Sequence, residues 1–212
     1  MRIWKSLLLL VFGFTDTYPQ ILPLNYALMC FLISFTAAAL LNGNPSVRFV
    51  NTGSKLSSYL ALSNSEIDVL IGDKVQRKFD FARSSSLNGF HFSTPYYYAN
   101  NILWDTDLND VTFFSLVTRE DDVLFASFVN CIVLATIYAQ ERRIGRDTSS
   151  EMPLVSVFGS GFNWALRDAI AYSGSYDEIF VDTFGTNATE ALRGRNTLNK
   201  GGPMMHSLPH LP

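Results

Sequence analysis

The stretch KLSSYLALSNSEIDVLIGDKVQRKFDFARSSSLNGFHFSTPYYY, from Lys55 to Tyr98, decides the fold of this chain. Its first part has apolar residues at near-helical spacing and predicts a short amphipathic helix. The compact apolar run from Glu66 to Ile71 is closed by Gly72, which predicts a strand covered on both faces. An alternating segment from Phe90 to Thr94 predicts a second strand. We expect these two strands to lie side by side in one sheet.

Composition indicates a folded protein. The chain has 212 residues, of which 48% are hydrophobic and 14% aromatic, enough for one domain or two small ones. The net charge is -3 and no basic block occurs, which argues against a nucleic-acid partner. The two cysteines, Cys30 and Cys131, lack His or Cys neighbours at ligand spacing, so neither a metal site nor a cofactor is predicted. A disulfide and two buried free thiols both remain open, and buried thiols are the commoner outcome.

The N-terminal segment has two interpretations. Residues 1–14 read MRIWKSLLLLVFGF, with two basic residues before a short apolar block, which is typical of a secretory signal. The alternative is an apolar first strand of a folded domain. Residues 24–41 carry no charge and are long enough to cross a bilayer, although polar residues interrupt them. A membrane anchor and a buried helix over 31–41 are therefore both open, and the buried helix is favoured.

Several segments, in the same order, resemble a known family. They are DVL at 68–70, FHFSTPYYY at 90–98, FLISFTAAALLNGNPSVRFV at 31–50, SLVTREDDVLFASFVNCIVLATIYAQERRIG at 115–145 and RGRNTLNKGGPMMHSLPHLP at 193–212. Together they resemble the solute-binding proteins of family three, the amino-acid receptors of ABC uptake systems. The resemblance covers roughly residues 31–98 and 114–206. The family's first strand is expected to be replaced or lost, because ILPLNYALMC stands at 21–30.

The resemblance implies an α/β fold, a single lobe of a type II periplasmic-binding-protein-like fold with a mostly parallel sheet flanked by helices. In the implied domain layout, residues 1–20 are signal-like, 21–200 form the lobe and 201–212 are a tail. The second lobe of the family is expected to be reduced to a linker at 99–112, because a segment of that size is too short for a domain.

The resemblance also implies a ligand site in the loop that follows the first strand. In the family this loop supplies a small polar residue and an arginine that binds the ligand's carboxylate through two parallel donors. Here those positions hold Ile71 and Phe79, so neighbouring polar residues are the candidates. Aromatic residues after the second strand could line the ligand or pack into the hinge region. The candidate ligand-binding residues are Gly72, Asp73, Arg77, Lys78, Tyr96 and Tyr97.

The C-terminal half predicts helices. Residues 121–143 indicate a long helix with acids at its N-terminus, and its flanking charges and internal polar residues favour a core helix over a membrane span. Two short helices are expected between residues 152 and 185. Ser175 and Glu178 form a capping box that fixes the start of the second one.

The resemblance implies, together with the signal-like N-terminus, an extracytoplasmic protein, secreted or periplasmic, that binds an amino acid or a small polar solute for uptake or sensing. A membrane transporter or receptor is the expected partner; anchoring through residues 24–41 is the alternative location. The alternative function is a non-binding single-lobe remnant, which serves as an interaction module or is a decaying paralogue. No enzyme is predicted, because no pair of titratable residues and no phosphate loop or Ser/His/Asp pattern rises above chance.

Overall fold

The computed structural model describes residues 8–12, 47–51, 55–76, 89–99, 112–185 and 196–197. Six strands occur in these segments: β1 (Leu8–Phe12), β2 (Val47–Asn51), β3 (Val69–Gln76), β4 (Phe90–Phe92), β5 (Tyr97–Ala99) and β6 (Thr112–Arg119). The α-helices are α1 (Lys55–Ser63), α2 (Val123–Arg142), α3 (Ala165–Ser173) and α4 (Tyr176–Phe184), with short 3-10 helices at Arg146–Glu151 and Ser160–Phe162.

The strands form one sheet in the order β2-β1-β3-β6-β4, and β5 also pairs with β6. The pairings of β1 with β2 and with β3 are parallel. The pairings of β6 with β3, β4 and β5 are antiparallel. All described strands except β6 therefore point the same way, which confirms the predicted mostly parallel sheet flanked by helices.

The N-terminal apolar block supplies a strand in the interior of the sheet. Leu10 is the register partner of Phe49 on one side and of Val69 on the other. The expectation that the first strand is replaced or lost is wrong, because β1 precedes β2 in the chain and pairs with it. The alternative interpretation of this segment, an apolar first strand, is the one that this pairing supports.

The first predicted strand is displaced along the chain. The sequence predicts it at 66–71, closed by Gly72, but β3 begins at Val69 and runs through Gly72 to Gln76. The start is later because the N–H of Glu66 donates to the carbonyl oxygen of Ala61, at 2.9 Å, which closes the end of α1. The end is later because β6 offers backbone partners as far as Gln76. A distant strand thus overrides the local turn signal of a glycine.

The two predicted strands share a sheet but are not neighbours. β6 lies between β3 and β4 and pairs with both, so the expectation that they lie side by side is wrong. The second strand also ends sooner than predicted, at Phe92 rather than Thr94.

Helix α1 covers one face of the sheet, as predicted, but with a narrower apolar face. Leu62 and Val117 are fully buried in a cluster that joins α1 to the sheet. Leu56 and Leu60, expected on the buried face, are 71% and 54% exposed. The cluster consists of Ala61, Leu62, Ile67, Leu70 and Val117, with Val50, Tyr59, Phe90 and Phe92 packed against it.

Helix α2 is the predicted core helix. Asp122 is its N-cap and accepts from the N–H of Phe125 at 2.9 Å, and Arg143 ends it in the left-handed conformation. By length and composition α2 could also cross a membrane, and it is the one such helix in the described ranges, but most of it is buried in the fold. A second core cluster joins it to α3 and the intervening loop: Phe128, Ile132, Ala135, Ala139, Ile144, Met152, Val155, Ala165, Leu166, Ala169 and Ile170.

The two short C-terminal helices are confirmed as α3 and α4. The capping box is present, since Ser175 Oγ accepts from the N–H of Glu178 while the Glu178 carboxylate accepts from the N–H of Ser175 at 2.8 Å. Arg146 holds the end of α3, because its guanidinium donates to the carbonyl oxygens of Tyr172 and Ser173 and to the carboxylate of Asp182. Cations at a helix C-terminus complement its dipole.

Several expectations fall outside the described residues. They are the helix or anchor within 24–41, the linker residues 100–111, the tail 201–212 and the partner or pairing of Cys30.

A proline in β1 tests whether the N-terminal block belongs to the folded sheet. We expect Leu10→Pro to lower the free energy of unfolding by about 3 kcal/mol or more, because proline removes a ladder N–H in a strand paired on both sides. Leu10→Val should change it by less than about 1.5 kcal/mol. Urea unfolding of the full chain is the measurement. Equal stability of the proline variant and the wild type would show that residues 8–12 do not belong to the sheet.

Gly174 should resist substitution for two reasons. Its φ is +84°, and an added Cβ would lie 2.7 Å from Oε2 and 2.8 Å from Cβ of Glu178. We expect Gly174→Ala to cost about 1–3 kcal/mol of unfolding free energy. Gly161→Ala is the matched control, because its added Cβ meets no atom within 4 Å. Thermal unfolding of both variants checks this, and an equal loss in the two would contradict it.

Candidate functional site

The carboxyl ends of the parallel strands meet at one edge of the sheet. The chain places β2 on one side of β1 and β3 on the other, so the strand order reverses at β1. Phe12, the last residue of β1, is level with Asn51 in β2 and with Ile71 in β3. In open α/β sheets, ligands bind outside the carboxyl ends of the strands where the order reverses. This edge is therefore the first candidate for a functional site.

Strand β3 has a bulge at this edge. Leu70 pairs with Val117, but Asp73 pairs with Ser115, so the β3 segment has one more residue than the β6 segment that it faces. Gly72 lies within the bulge. Bulges are over-represented beside functional sites, where they redirect the strand.

The bulge places two predicted site residues at the candidate edge. Gly72 and Asp73 follow Ile71, the residue level with the end of β1, and they lie within β3 rather than in a loop. Ile71 itself is 2% exposed and belongs to the core. Arg77 and Lys78 are outside the described residues.

A second irregularity faces β6 from the other side. Phe92 pairs with Val117 and Tyr97 with Phe114, so the chain between them has two more residues than the β6 segment opposite. Ser93 keeps the strands together, because its N–H donates to the carbonyl oxygen of Leu116 and its Oγ accepts from the Leu116 N–H, both at 2.9 Å.

Asn130 of α2 supports the extra residues. Its Oδ1 accepts from the N–H of Thr94 at 2.7 Å, and Pro95 has no N–H to satisfy. A side chain of α2 thus supplies the hydrogen bond to the segment between β4 and β5 at a residue that does not pair with β6. Sequence reasoning identified Asn130 only as a polar interruption of an apolar helix. An amide among the apolar residues of a core helix was the signal that could have indicated a buried hydrogen-bond partner.

Tyr96 and Tyr97, the other predicted ligand residues, are packed into the fold. They are 1% and 6% exposed. The Tyr97 ring stacks on Phe184 with centroids 6.0 Å apart, and burial raises the pKa of its hydroxyl above the ordinary value. The carbonyl oxygen of Tyr96 accepts from the hydroxyl of Tyr176 at 2.9 Å. Of the two roles predicted for this pair, the described contacts correspond to packing.

The opposite edge of the sheet carries a cleft of 390 Å³, lined by Ser63, Gly89, Phe90, Arg119, Glu120 and Asp121. The polar groups of Arg119 are already used inside the protein. Its guanidinium donates to the carbonyl oxygen of Ile67 at 2.9 Å and to Asp121 at 3.3 Å, and it lies 3.9 Å from Asp68. The cleft is at the amino ends of β3 and β4, away from the strand reversal, so it is the weaker candidate.

Nothing among the described side chains indicates metal or thiol chemistry. No group of three or more His, Cys, Asp or Glu residues within the described ranges could hold a metal ion. Cys131 is a free thiol, as one of the two expectations had it, and burial raises its pKa to about 11. The thiolate is the reactive form, and this raised pKa disfavours it at neutral pH.

Comparison with solved structures identifies the fold. The chain is similar to an ABC transporter/periplasmic binding protein from Brucella ovis with glutathione bound: 16% sequence identity, a TM-score of 0.65, and coverage of 94% of this chain and 95% of that chain. It is also similar to the arginine-bound form of domain 1 from TmArgBP, with 16% identity, a TM-score of 0.40, and coverage of 61% and 92%. No protein-family profile and no curated protein matches the chain.

The chain has the fold of a type II periplasmic-binding-protein lobe. This confirms the predicted fold class. In this lobe the candidate edge is the carboxyl edge of the parallel strands, and it carries Gly72 and Asp73.

Removal of the Asn130 amide tests how the lobe holds the segment between β4 and β5. We expect Asn130→Ala to lower the unfolding free energy by about 1–3 kcal/mol, because the N–H of Thr94 loses its acceptor in a part-buried place. Asn64→Ala, at an exposed asparagine whose side-chain amide donates to the Glu66 carboxylate at 3.4 Å, should change it by less than about 0.5 kcal/mol. Urea unfolding of both variants is the measurement. Similar values for the two variants would show that the Thr94 N–H does not depend on Asn130.

Proposed function

We propose that the protein binds a small polar solute, of the amino-acid class, at the carboxyl edge of its sheet. The observation that carries this proposal is the β3 bulge at Ile71–Gly72, beside the end of β1 where the strand order reverses. Concave sites with a few convergent polar groups occur at such edges in α/β proteins.

The similar structure supports the same class of ligand. The periplasmic binding protein from Brucella ovis is described with glutathione bound, and glutathione is a small peptide built from amino acids. Its fold extends over nearly the whole of this chain. The proposal brings to this chain only the class of ligand, a small polar solute with amino and carboxyl groups.

The proposed ligand residues have distinct roles. Arg77 or Lys78 binds the carboxylate of the solute, since a guanidinium or ammonium group favours an anion in a partly dry site. Asp73 attracts its ammonium group, and Gly72 lets the backbone approach the solute closely. Tyr96 and Tyr97 act indirectly, because their packing fixes the strand that borders the site.

The proposal places this protein outside the cytoplasm, where it acts in uptake or sensing with a membrane transporter or receptor as its partner. It has no catalytic role in this proposal. Membership of solute-binding family three and the absence of a second lobe belong to the proposal as well. A lobe without its partner lobe leaves one side of the solute in water, which predicts weak affinity.

A second function competes with the first. The chain could be a non-binding remnant that acts as an interaction module. Ile71 favours it, because the residue at the position of the family's small polar group is apolar and 2% exposed. The packing of Tyr97 against Phe184 favours it too, since that ring is already engaged inside the protein.

Calorimetric titration of the full chain with each of the twenty amino acids, and with glutathione, separates the two functions. We expect one compound to bind with a Kd on the order of 0.1–1 mM, as for a ligand held from one side. Arg77→Ala should abolish this binding by removing the carboxylate partner. Arg142→Ala, an exposed arginine in the last turn of α2, should leave it unchanged.

The outcomes are distinct. Binding that disappears only in Arg77→Ala supports a receptor. If wild-type protein that unfolds cooperatively releases no heat of binding with any compound, the solute-binding function is rejected and the non-binding remnant is supported. Binding that survives Arg77→Ala keeps the solute class but removes Arg77 from the site.

A further inference from the structure

Three large apolar side chains are exposed around the start of α3. Leu154, Val157 and Trp164 are 54%, 66% and 55% exposed. The N–H of Val155 donates to the carbonyl oxygen of Asn163 at 3.2 Å, which brings the segment around Leu154 beside the residue before Trp164. We name Leu154, Val157 and Trp164 the apolar patch. Exposed apolar surface of this kind indicates an interaction site.

The loop that carries the apolar patch is anchored on α2. Phe158 and Phe162 both pack edge-to-face on the ring of Phe128, with centroids 5.1 Å and 5.7 Å apart. Both residues also contact the second core cluster. A surface that is ordered before binding loses little conformational entropy when a partner binds it.

Arg167 orients the indole of Trp164. Its guanidinium carbon lies 4.6 Å from the centroid of that ring, and its Nε donates to the carbonyl oxygen of Met152 at 2.9 Å. The two terminal nitrogens of Arg167 take no part in the hydrogen bonds or ion pairs of the described residues. Tryptophan and arginine are also the residues that most often dominate the binding energy of protein interfaces.

Charges of opposite sign adjoin the apolar patch. Residues 152–166 contain no charged residue, and Arg167 and Asp168 follow them. Asp168 is exposed, and its carboxylate forms no ion pair within the described ranges. It lies one helical turn after Trp164, the N-cap of α3, and Tyr172, which is 61% exposed, lies one turn further. This side of α3 therefore has an aromatic residue at each end and a base next to an acid between them.

A second copy of the chain complements this surface. In a two-fold interface, residue i of one copy contacts residue j of the other, and j contacts i. If α3 lies antiparallel to its copy with the axis near Asp168, each Trp164 faces the other copy's Tyr172, and each Arg167 comes close to the other copy's Asp168. A partner with charges of one sign would instead repel one of these two residues, and the interior of a membrane would bury both charges at high cost.

We propose that two copies of this chain associate through the apolar patch and the exposed side of α3, with Arg167 of each copy paired to Asp168 of the other. The inference does not depend on solute binding. The surface is a few side chains wide, and small interfaces of this kind belong to transient complexes. We expect a Kd on the order of 10–100 μM.

The first test measures association of the full chain by analytical ultracentrifugation, from about 1 μM to 1 mM, a range that spans this Kd. We expect the wild type to change from monomer to dimer over this range. Trp164→Ala should raise the Kd at least about tenfold, because it removes the centre of the apolar patch. Leu60→Ala is the matched control, since Leu60 is 54% exposed but lies in α1, outside the apolar patch, and its Kd should equal that of the wild type.

The second test exchanges the charges. Asp168→Lys places two bases opposite each other in the two-fold pair, and Arg167→Glu places two acids opposite each other, so each variant alone should remain monomeric. An equimolar mixture of the two variants should form dimers again, because one contact is then native and the other has both charges reversed. Thermal unfolding of each variant checks that it is folded. Restored association in the mixture is a result that a structural defect in either variant cannot produce.

The remaining results overturn the inference. Wild-type protein that is monomeric at about 1 mM rejects the association itself. Equal weakening by Leu60→Ala and Trp164→Ala shows that the apolar patch is not the interface. A mixture of folded charge variants that stays monomeric rejects the pairing of Arg167 with Asp168. If Arg167→Glu does not fold, because it loses the contact with Met152, then dimerisation of Asp168→Lys or Trp164→Ala with the Kd of the wild type overturns the inference.

Discussion

The pairing of β6 on both of its edges is the interaction on which the rest of the structure depends. β6 is the last strand in the chain among those described, yet it lies between β3 and β4. On one edge it bonds β3 from Val69 to Gln76, and on the other it bonds both β4 and β5. Helix α2 begins four residues after β6 ends, so the same pairing fixes where the main core helix lies. Both departures from regular pairing are also defined against β6, and the candidate site is therefore a property of this strand as much as of β3.

Local sequence signals predicted the helices and failed at the strand boundaries, for a physical reason. A capping box involves residues three apart, and Ser175 and Glu178 make it whatever the rest of the chain does. The N-cap at Asp122 is equally local. The extent of β3, in contrast, depends on a partner about 40 residues further along the chain, which offers hydrogen bonds past Gly72. Strand ends are decided by tertiary pairing, so the glycine that predicts a turn becomes part of a bulge instead.

The N-terminal block shows that composition alone also cannot decide between two structures. A short apolar run after two basic residues is what a secretory signal needs, and it is also what a strand buried in the interior of a sheet needs. Residues 8–12 satisfy both descriptions, and only the pairing of β1 with β2 and β3 distinguishes them. The candidate site was also predicted only in part, since the family resemblance indicated Gly72 and Asp73. It gave no reason to consider Asn130, because the contact between its amide and the N–H of Thr94 joins residues 36 apart in the sequence.

Aromatic packing engages residues that the sequence predicts as solute contacts. Tyr97 stacks on Phe184, and Phe184 in turn stacks on Phe180 with centroids 4.4 Å apart, so these rings fix α4 against the bulged strand. Aromatic pairs contribute about 0.5–1.5 kcal/mol beyond the area that they bury, and a ring that turned toward a solute would lose this contribution. The rings are therefore more valuable as supports of the edge than as a ligand surface.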